Sequence, residues 1–387
     1  MSIRHAFHQI PRSLSRPSSA SRAVTTGSSS LRDSYNFGTL DVTEPSKAVI
    51  QVEINRPDKA NAMSSSFFVE LRDCFERLAI DPACRAVVLC ASGNVFSSGL
   101  DLEEHAPKFM EMTSPSPVGD TTKDPARKSF EIARFVTGMQ ESLASLDWCP
   151  KPVICAVHSA CVGGAVDLAC AADIRLASSD AWFSIKEARI ARRGGGVAST
   201  RAQTVTPNES TGKAQVSQVH AMHVEIPGSQ SAAITSDSGH SGTTIWVVFV
   251  VYLLQIYQVD IGLCADLGTL QRLPKLIGSE SLARELVFTA RKFPAAEALT
   301  AGFISAVLDD KQQLVDHAVK LASQIAARSP VAIQGSKVNL NYARDHTIAQ
   351  ALQYQALWSS AMLQTGDIPA AMASAQKRKP PPPFPPL

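Results

Sequence analysis

At 387 residues, 45% of them hydrophobic, the chain has material for one large core or two smaller ones. A formal net charge of +2 gives no reason to invoke nucleic acid or an acidic membrane surface as a partner. The eight cysteines include no CxxC pair and several lie in apolar runs, which argues for reduced core thiols and against a disulfide frame or a zinc site.

Residues 1–32 carry Arg4, Arg12, Arg16, Arg22 and Arg32, many serines, no acid and no continuous apolar stretch. That is the pattern of a mitochondrial-type leader, not of a secretory signal. Ordered sequence is expected from near Tyr35. Ala48–Ile54 alternates as a strand, Asn55–Lys59 is a turn, and Ser65–Leu78 places Phe68, Leu71, Phe75 and Leu78 at helical spacing. Arg85–Cys90 reads as a second, buried strand. The loop Ser92–Leu102 places Gly93 and Gly99 before a helix, so the Gly99-Leu100 step offers a backbone N–H donor. Residues 113–126 are a polar, Pro-rich loop, and Ser129–Leu146 is an amphipathic helix.

The centre of the chain is Lys151–Leu168, KPVICAVHSACVGGAVDL. Pro152–Val157 is a buried strand, Gly163-Gly164 a turn, and Ala165–Ala169 has helical composition. A strand that passes through glycines into a helix start leaves peptide N–H groups unpaired, and the helix dipole adds positive charge there. Such a site suits an oxygen that becomes anionic during a reaction. Asp167 falls in the first helical turn. The competing reading is a plain packing turn with Asp167 as a dipole-compensating surface acid. His158 reads as a strand-end residue, not a base. Asp173–Ala177 and Trp182–Glu187 are further short strands, the second ending on an acid.

Residues 188–244 lose hydrophobic periodicity, and the apolar run Ile245–Leu254 is half the roughly 20 residues that a bilayer span needs. A structureless stretch of this length is foreign to a compact domain. Ala188–Gln258 therefore reads as a retained intron translated in frame, its Phe/Val/Leu/Tyr run resembling a pyrimidine tract. The alternative is a genuine insertion loop. Beyond it, Thr269–Pro274 is a turn, and Ser279–Thr289, Ala295–Leu308 (with Gly302 inside), Leu314–Ala327, Val331–Arg344 and Thr347–Leu363 are helices. In the last, Leu352, Ala356, Ser359, Met362 and Leu363 lie near one stripe that suits pairing between subunits. Lys377–Leu387 is basic, then Pro-rich and extended, and its end is unlike a Ser-Lys-Leu peroxisomal address.

Five runs, in order and spacing, resemble the enoyl-CoA hydratase/isomerase (crotonase) superfamily: NRPDKANAM (55–63), FSSGLDL (96–102), KPVICAVHSACVGGAVDLACAADIR (151–175), FSIKE (183–187) and DLGTLQRLPKLIG (266–278). The likeness covers about residues 45–187 and 259–375, and joining Glu187 to Val259 restores the family's spacing. It implies an α/β fold, a spiral of ββα repeats with a C-terminal helical trimerisation region. The expected organisation is a leader (1–32), a catalytic core (33–294) interrupted by 188–258, a helical oligomerisation region (295–376) and a tail (377–387). It further implies an acyl-CoA thioester substrate held by the N–H groups of Leu100 and Gly164, with contacts from Ser97, Ser98, Gly99 and Asp101. No metal or redox cofactor is implied, coenzyme A being part of the substrate. Homo-trimers or homo-hexamers follow from the same likeness; the leader favours the mitochondrial matrix, with the peroxisome as the alternative that related isomerases imply, and the short apolar run argues for no membrane span. The acids Asp167, Glu187 and Asp266 resemble the dienoyl-CoA isomerase branch; the hydratases carry glutamate and glycine at the first and third positions. The family's usual glycines are replaced here by Ser159 and Ala165.

Overall fold

The computed structural model describes residues 35–114, 124–185 and 264–387. The leader, the Pro-rich loop at 115–123, Glu187 and the whole 188–258 segment lie outside the described residues.

The chain opens with β1 (Leu40–Ser46) and β2 (Val49–Ile54), an antiparallel pair, followed by α1 (Ser65–Ile80) and β3 (Ala86–Ala91). Ser64 caps α1 by accepting the Phe67 N–H. Next come α2 (Leu102–Thr113) and α3 (Pro125–Trp148), the latter starting on Asp124 as cap with Pro125 in its first turn. The middle of the chain is two successive strand–strand–helix units. The first is β4 (Val153–Val157), β5 (Ala160–Val162) and α4 (Gly164–Ala171). The second is β6 (Ile174–Ser178), β7 (Trp182–Ser184) and α5 (Thr269–Leu276). Then follow α6 (Glu280–Thr289), β8 (Phe293–Pro294), α7 (Ala295–Thr300), β9 (Ala306–Leu308) and the helices α8 (Lys311–Ala326), α9 (Pro330–Asp345), α10 (Ile348–Met362) and α11 (Asp367–Gln376).

The first strand of each unit enters a six-stranded sheet of order β1-β2-β3-β4-β6-β9, parallel apart from β1; the second enters a three-stranded sheet of order β5-β7-β8. This is the expected spiral of ββα repeats. The central strands are buried on both faces, so they read as continuous apolar runs, and their period-2 alternation divides two cores. Val87, Leu89, Val153, Cys155 and Val157 face the larger core with α1, α3 and α4. Val88, Cys90, Ile154, Ala156 and Leu176 pack on Leu314, Ala318 and Ala322 of α8. Seven of the cysteines are buried and all eight are free, as core thiols should be.

Three local expectations change. The polar edge strand β1, LDVTEPS, has too little alternation to be read from sequence. The expected helix Ala295–Leu308 breaks: α7 ends at Thr300, Gly302 adopts φ +78°, and Ala306–Leu308 pairs with β6 instead. Thr269–Leu276 is a helix of two turns, not a turn. On α10 no residue is buried; Leu352 and Leu357 are 65% and 74% exposed, as is Leu363 just past its end at 68%, while Tyr354 stacks on Tyr342 of α9 at 4.0 Å.

Candidate active site

The NRPDKAN turn is the clamp on which the donor loop hangs. Asn61 is fully buried in the left-handed region, φ +53°, a conformation asparagine tolerates. Its side-chain amide donates to the carbonyls of Ser92 (2.8 Å) and Val95 (2.9 Å), and its Oδ1 accepts the Arg56 N–H at 2.8 Å. Arg56 in turn reaches the Ala62 carbonyl and pairs with Asp101 at 3.0 Å. Within the donor loop, Ser97 is fully buried; its hydroxyl donates to the Asn61 carbonyl (2.8 Å) and accepts the Gly99 N–H (3.1 Å). The side chains of Ser97 and Asp101 are thus committed to the loop's own architecture. Ser98 is half-buried, and its N–H goes to the Ala60 carbonyl.

Leu100 bridges to Met63 in a parallel pattern in which Met63 makes both bonds, its N–H to the Gly99 carbonyl (2.8 Å) and its carbonyl from the Asp101 N–H (2.9 Å). That geometry turns the Leu100 N–H away from Met63. Gly99, φ +92°, lies so close to the next strand that a Cβ there would be 2.6 Å from the Val162 carbonyl and 3.6 Å from Gly163 Cα. This contact brings the Leu100 step against the start of α4. Gly163 is used up, its N–H donating to the Ser184 carbonyl at 2.9 Å. Gly164 is the first residue of α4, where helices leave their N–H groups free. Among the described residues no acceptor meets the N–H of Leu100 or Gly164. Met63 Sδ and Leu267 Cδ1 stand 3.4 and 3.6 Å from the position a Gly164 Cβ would take, which makes an apolar wall.

Asp167 follows one turn on and is 2% exposed, so it is no surface acid. Its Oδ1 accepts the Thr269 N–H at 2.5 Å, across 102 residues of sequence. Burial is the main reason its carboxyl is pushed up to about 6; the Thr269 hydrogen bonding and the Arg272 charge pull down, and Asp266 pushes further up. Asp266 lies three residues before Thr269, the residue whose N–H reaches Asp167. Asp266 itself is exposed at the rim, its carboxyl also raised by the protein packed around it. Its backbone carbonyl accepts from Gln140 of α3 at 2.5 Å. Thr269 is fully buried, its hydroxyl without a partner among the described residues. Glu187 lies outside the described residues; β7 runs toward it as far as Ser184.

Ser159 sits at φ +52°, the physical reason glycine suits that position, whereas Ala165 is an ordinary helical residue with no exposure. His158 is a buried strand-end residue whose Nε2 meets the Gly93 carbonyl at 3.2 Å. Among the described residues no cluster of His, Cys, Asp or Glu has the arrangement to hold a metal, and no helix is long and apolar enough to cross a membrane. Arg56, Asn61, Gln140 and Thr269 were not singled out by sequence reasoning. The motif around the first two signalled only a turn, and the last two act through partners far away in the chain.

The model of the enoyl-CoA hydratase/isomerase family matches residues 44–117, 118–226 and 255–382. The mouse mitochondrial Delta(3,5)-Delta(2,4)-dienoyl-CoA isomerase is 36% identical over 373 residues, 96% of this chain and 89% of that protein. The human mitochondrial protein of the same name is 36% identical, covering 89% of this chain and 81% of its own length. An Arabidopsis thaliana peroxisomal protein of that name is 31% identical over 89% of this chain and 97% of its own. Among solved structures, an enoyl-CoA hydratase from Bacillus anthracis superposes with a TM-score of 0.62 at 18% identity, over 89% of this chain and 98% of that one. That likeness speaks to the fold alone. The five motifs, the ββα spiral and these matches along most of the chain agree: the protein belongs to the enoyl-CoA hydratase/isomerase family.

Proposed function

We propose that the protein isomerises 3,5-dienoyl-CoA to 2,4-dienoyl-CoA in the oxidation of unsaturated fatty acids. The observation that carries the reading is the buried acid Asp167, one turn after the unpaired Gly164 N–H and bonded to the Thr269 N–H of the segment that also carries Asp266. The relatives' names point the same way. The reaction moves one proton from C2 to C6 and changes no oxidation state, so it calls for neither a metal nor a redox cofactor. Loss of the C2 proton leaves a dienolate whose charge collects on the thioester oxygen. The N–H groups of Leu100 and Gly164 stabilise that oxygen, each such donor being worth about 10²–10³ in rate. Glu187 works near C2 and Asp266 near C6, one carboxyl taking a proton and the other giving one. Asp167 orients and polarises between them. Ser98, Gly99 and the loop from Ser97 to Asp101 face the acyl-CoA.

The relatives' names include mitochondrial and peroxisomal forms. The Arg-rich residues 1–32 favour the mitochondrial matrix. The exposed leucines of α10 suit a homo-trimer, or a hexamer made of two. For 188–258 we hold to the retained-intron reading, and a single dominant transcript carrying the segment would end it.

The test is the absorbance of the conjugated product when 3,5-dienoyl-CoA meets the purified full chain. A rise is expected. Hydration of crotonyl-CoA without that rise would identify a hydratase. Reaction only by a chain lacking 188–258 would identify a non-catalytic isoform.

A further inference from the structure

The segment that carries Asp266 and the Thr269 N–H is held at both ends by one helix. Gln140 and Asp147 are seven residues apart on α3, two turns along the same face. Gln140 donates to the Asp266 carbonyl at 2.5 Å. The Oδ2 atom of Asp147 accepts two bonds from Arg272, from Nε at 3.0 Å and from Nη2 at 2.7 Å. Its Oδ1 accepts from Arg344 of α9 at 3.1 Å, and its own carbonyl accepts from Asn341 at 3.0 Å. Arg272 and Asp147 are only 15% and 9% exposed in their side chains, so this is a largely desolvated, two-point contact. The guanidinium then lies across the turn that feeds α5: a Cβ on Gly268 would be 2.0 Å from Arg272 Nη1, and Gly268 itself adopts φ +127°. The next peptide is the one whose N–H is on Asp167.

We propose that Arg272, fastened by Asp147, is a positioning residue for the proton-transfer carboxyls: it holds the Gly268–Thr269 turn so that the Thr269 N–H stays on Asp167 and Asp266 stays beside it. Gln140 steadies the other end. The inference rests on the proposed isomerase reading for its kinetic arm only. Among the described residues, the titratable groups whose charges act with that of Asp167 are Asp266 before α5, Arg272 on α5, Cys161 on β5 and Cys170 on α4, with Asp147 of α3 paired to Arg272. Burial holds both thiols neutral, so Arg272 is the cation in this set and its loss raises the proton affinity of Asp167.

The experiment uses the full chain and three variants, Arg272→Gln, Arg272→Lys and Asp147→Asn. In Arg272→Gln, kcat for 3,5-dienoyl-CoA is expected to fall about 10–100-fold while KM moves less than about twofold. The ionisation limb of the kcat–pH profile is expected to move to higher pH, with Arg272→Lys recovering part of both and Asp147→Asn lying between. In parallel, the Asp167 carboxyl band is titrated by infrared difference against Asp167→Asn; its midpoint rises in Arg272→Gln. A wild type that isomerises no dienoyl-CoA would remove the function reading, and the infrared titration would still decide the positioning role. If Arg272→Gln does not fold, Arg272→Lys and Asp147→Asn carry the test. An unchanged titration midpoint and an unchanged pH profile in folded variants would overturn the proposal, whatever the change in melting temperature.

Discussion

Replacing Asp167 by asparagine should separate stability from activity in a way that depends on pH. In the folded protein the residue is 2% exposed, and burial pushes its carboxyl up to about 6 from an ordinary value of 3.8. A proton bound about a hundredfold more tightly in the folded state corresponds to about 3 kcal/mol. Below pH 3.8 the group is neutral in both states and adds no penalty. As pH rises from 3.8 through about 6, the unfolded chain ionises freely while the folded one must ionise a buried group, so stability is lost across that window and stays lost above it. The asparagine side chain would remain neutral throughout, and its Oδ1 can still accept the Thr269 N–H. Its new amide donors add an offset that does not vary with pH. The stability of Asp167→Asn relative to wild type should therefore climb by about 2–3 kcal/mol between pH 4 and pH 7. Isomerase turnover should fall by about 10²-fold or more at every pH. Urea unfolding followed by circular dichroism across pH 4–8 measures the first, and the dienoyl-CoA absorbance assay the second. A stability difference that is flat with pH would show that Asp167 is not a buried, strained acid, and the electrostatic account of the site would fail with it.

Three further outcomes follow from the donor loop and its clamp. Gly99→Ala, with a Cβ 2.6 Å from the Val162 carbonyl at φ +92°, should lose about 1–3 kcal/mol of stability and about 10²–10³ in kcat, read by melting and by turnover; a turnover within threefold of wild type would separate this loop from the oxygen site. Asn61→Ala removes three hydrogen bonds and leaves alanine at φ +53°, so urea unfolding should show about 2–4 kcal/mol of destabilisation. Ser159→Gly relieves a left-handed serine at φ +52° and should raise stability by about 0.5–1 kcal/mol after glycine's own entropy cost, with kinetics unchanged.

The strands β3 and β4, the Gly163-Gly164 turn, the first helical turn with Asp167 and the long amphipathic helices were legible in the residues themselves. Each is specified by a local period or by a glycine whose backbone freedom the turn needs. Family motifs extended that reading to Asp266. Other features depend on partners remote in the chain. Whether Asp167 is a surface acid or a buried one is settled by what covers it, and the cover is α5, placed by Thr269 and Arg272 more than 100 residues away. The commitment of Asp101 to Arg56, and of Ser97 to Asn61, is invisible in a loop of polar residues that resembles a binding loop. The helix expected over Ala295–Leu308 gave way because β6 offered an open edge to Ala306–Leu308 once Gly302 had turned the chain. Local propensity thus determined which elements and which acids this protein has. Burial and long-range hydrogen bonds, which have no local signature, decided which of those acids has its carboxyl pushed up and which backbone amides are left without a partner.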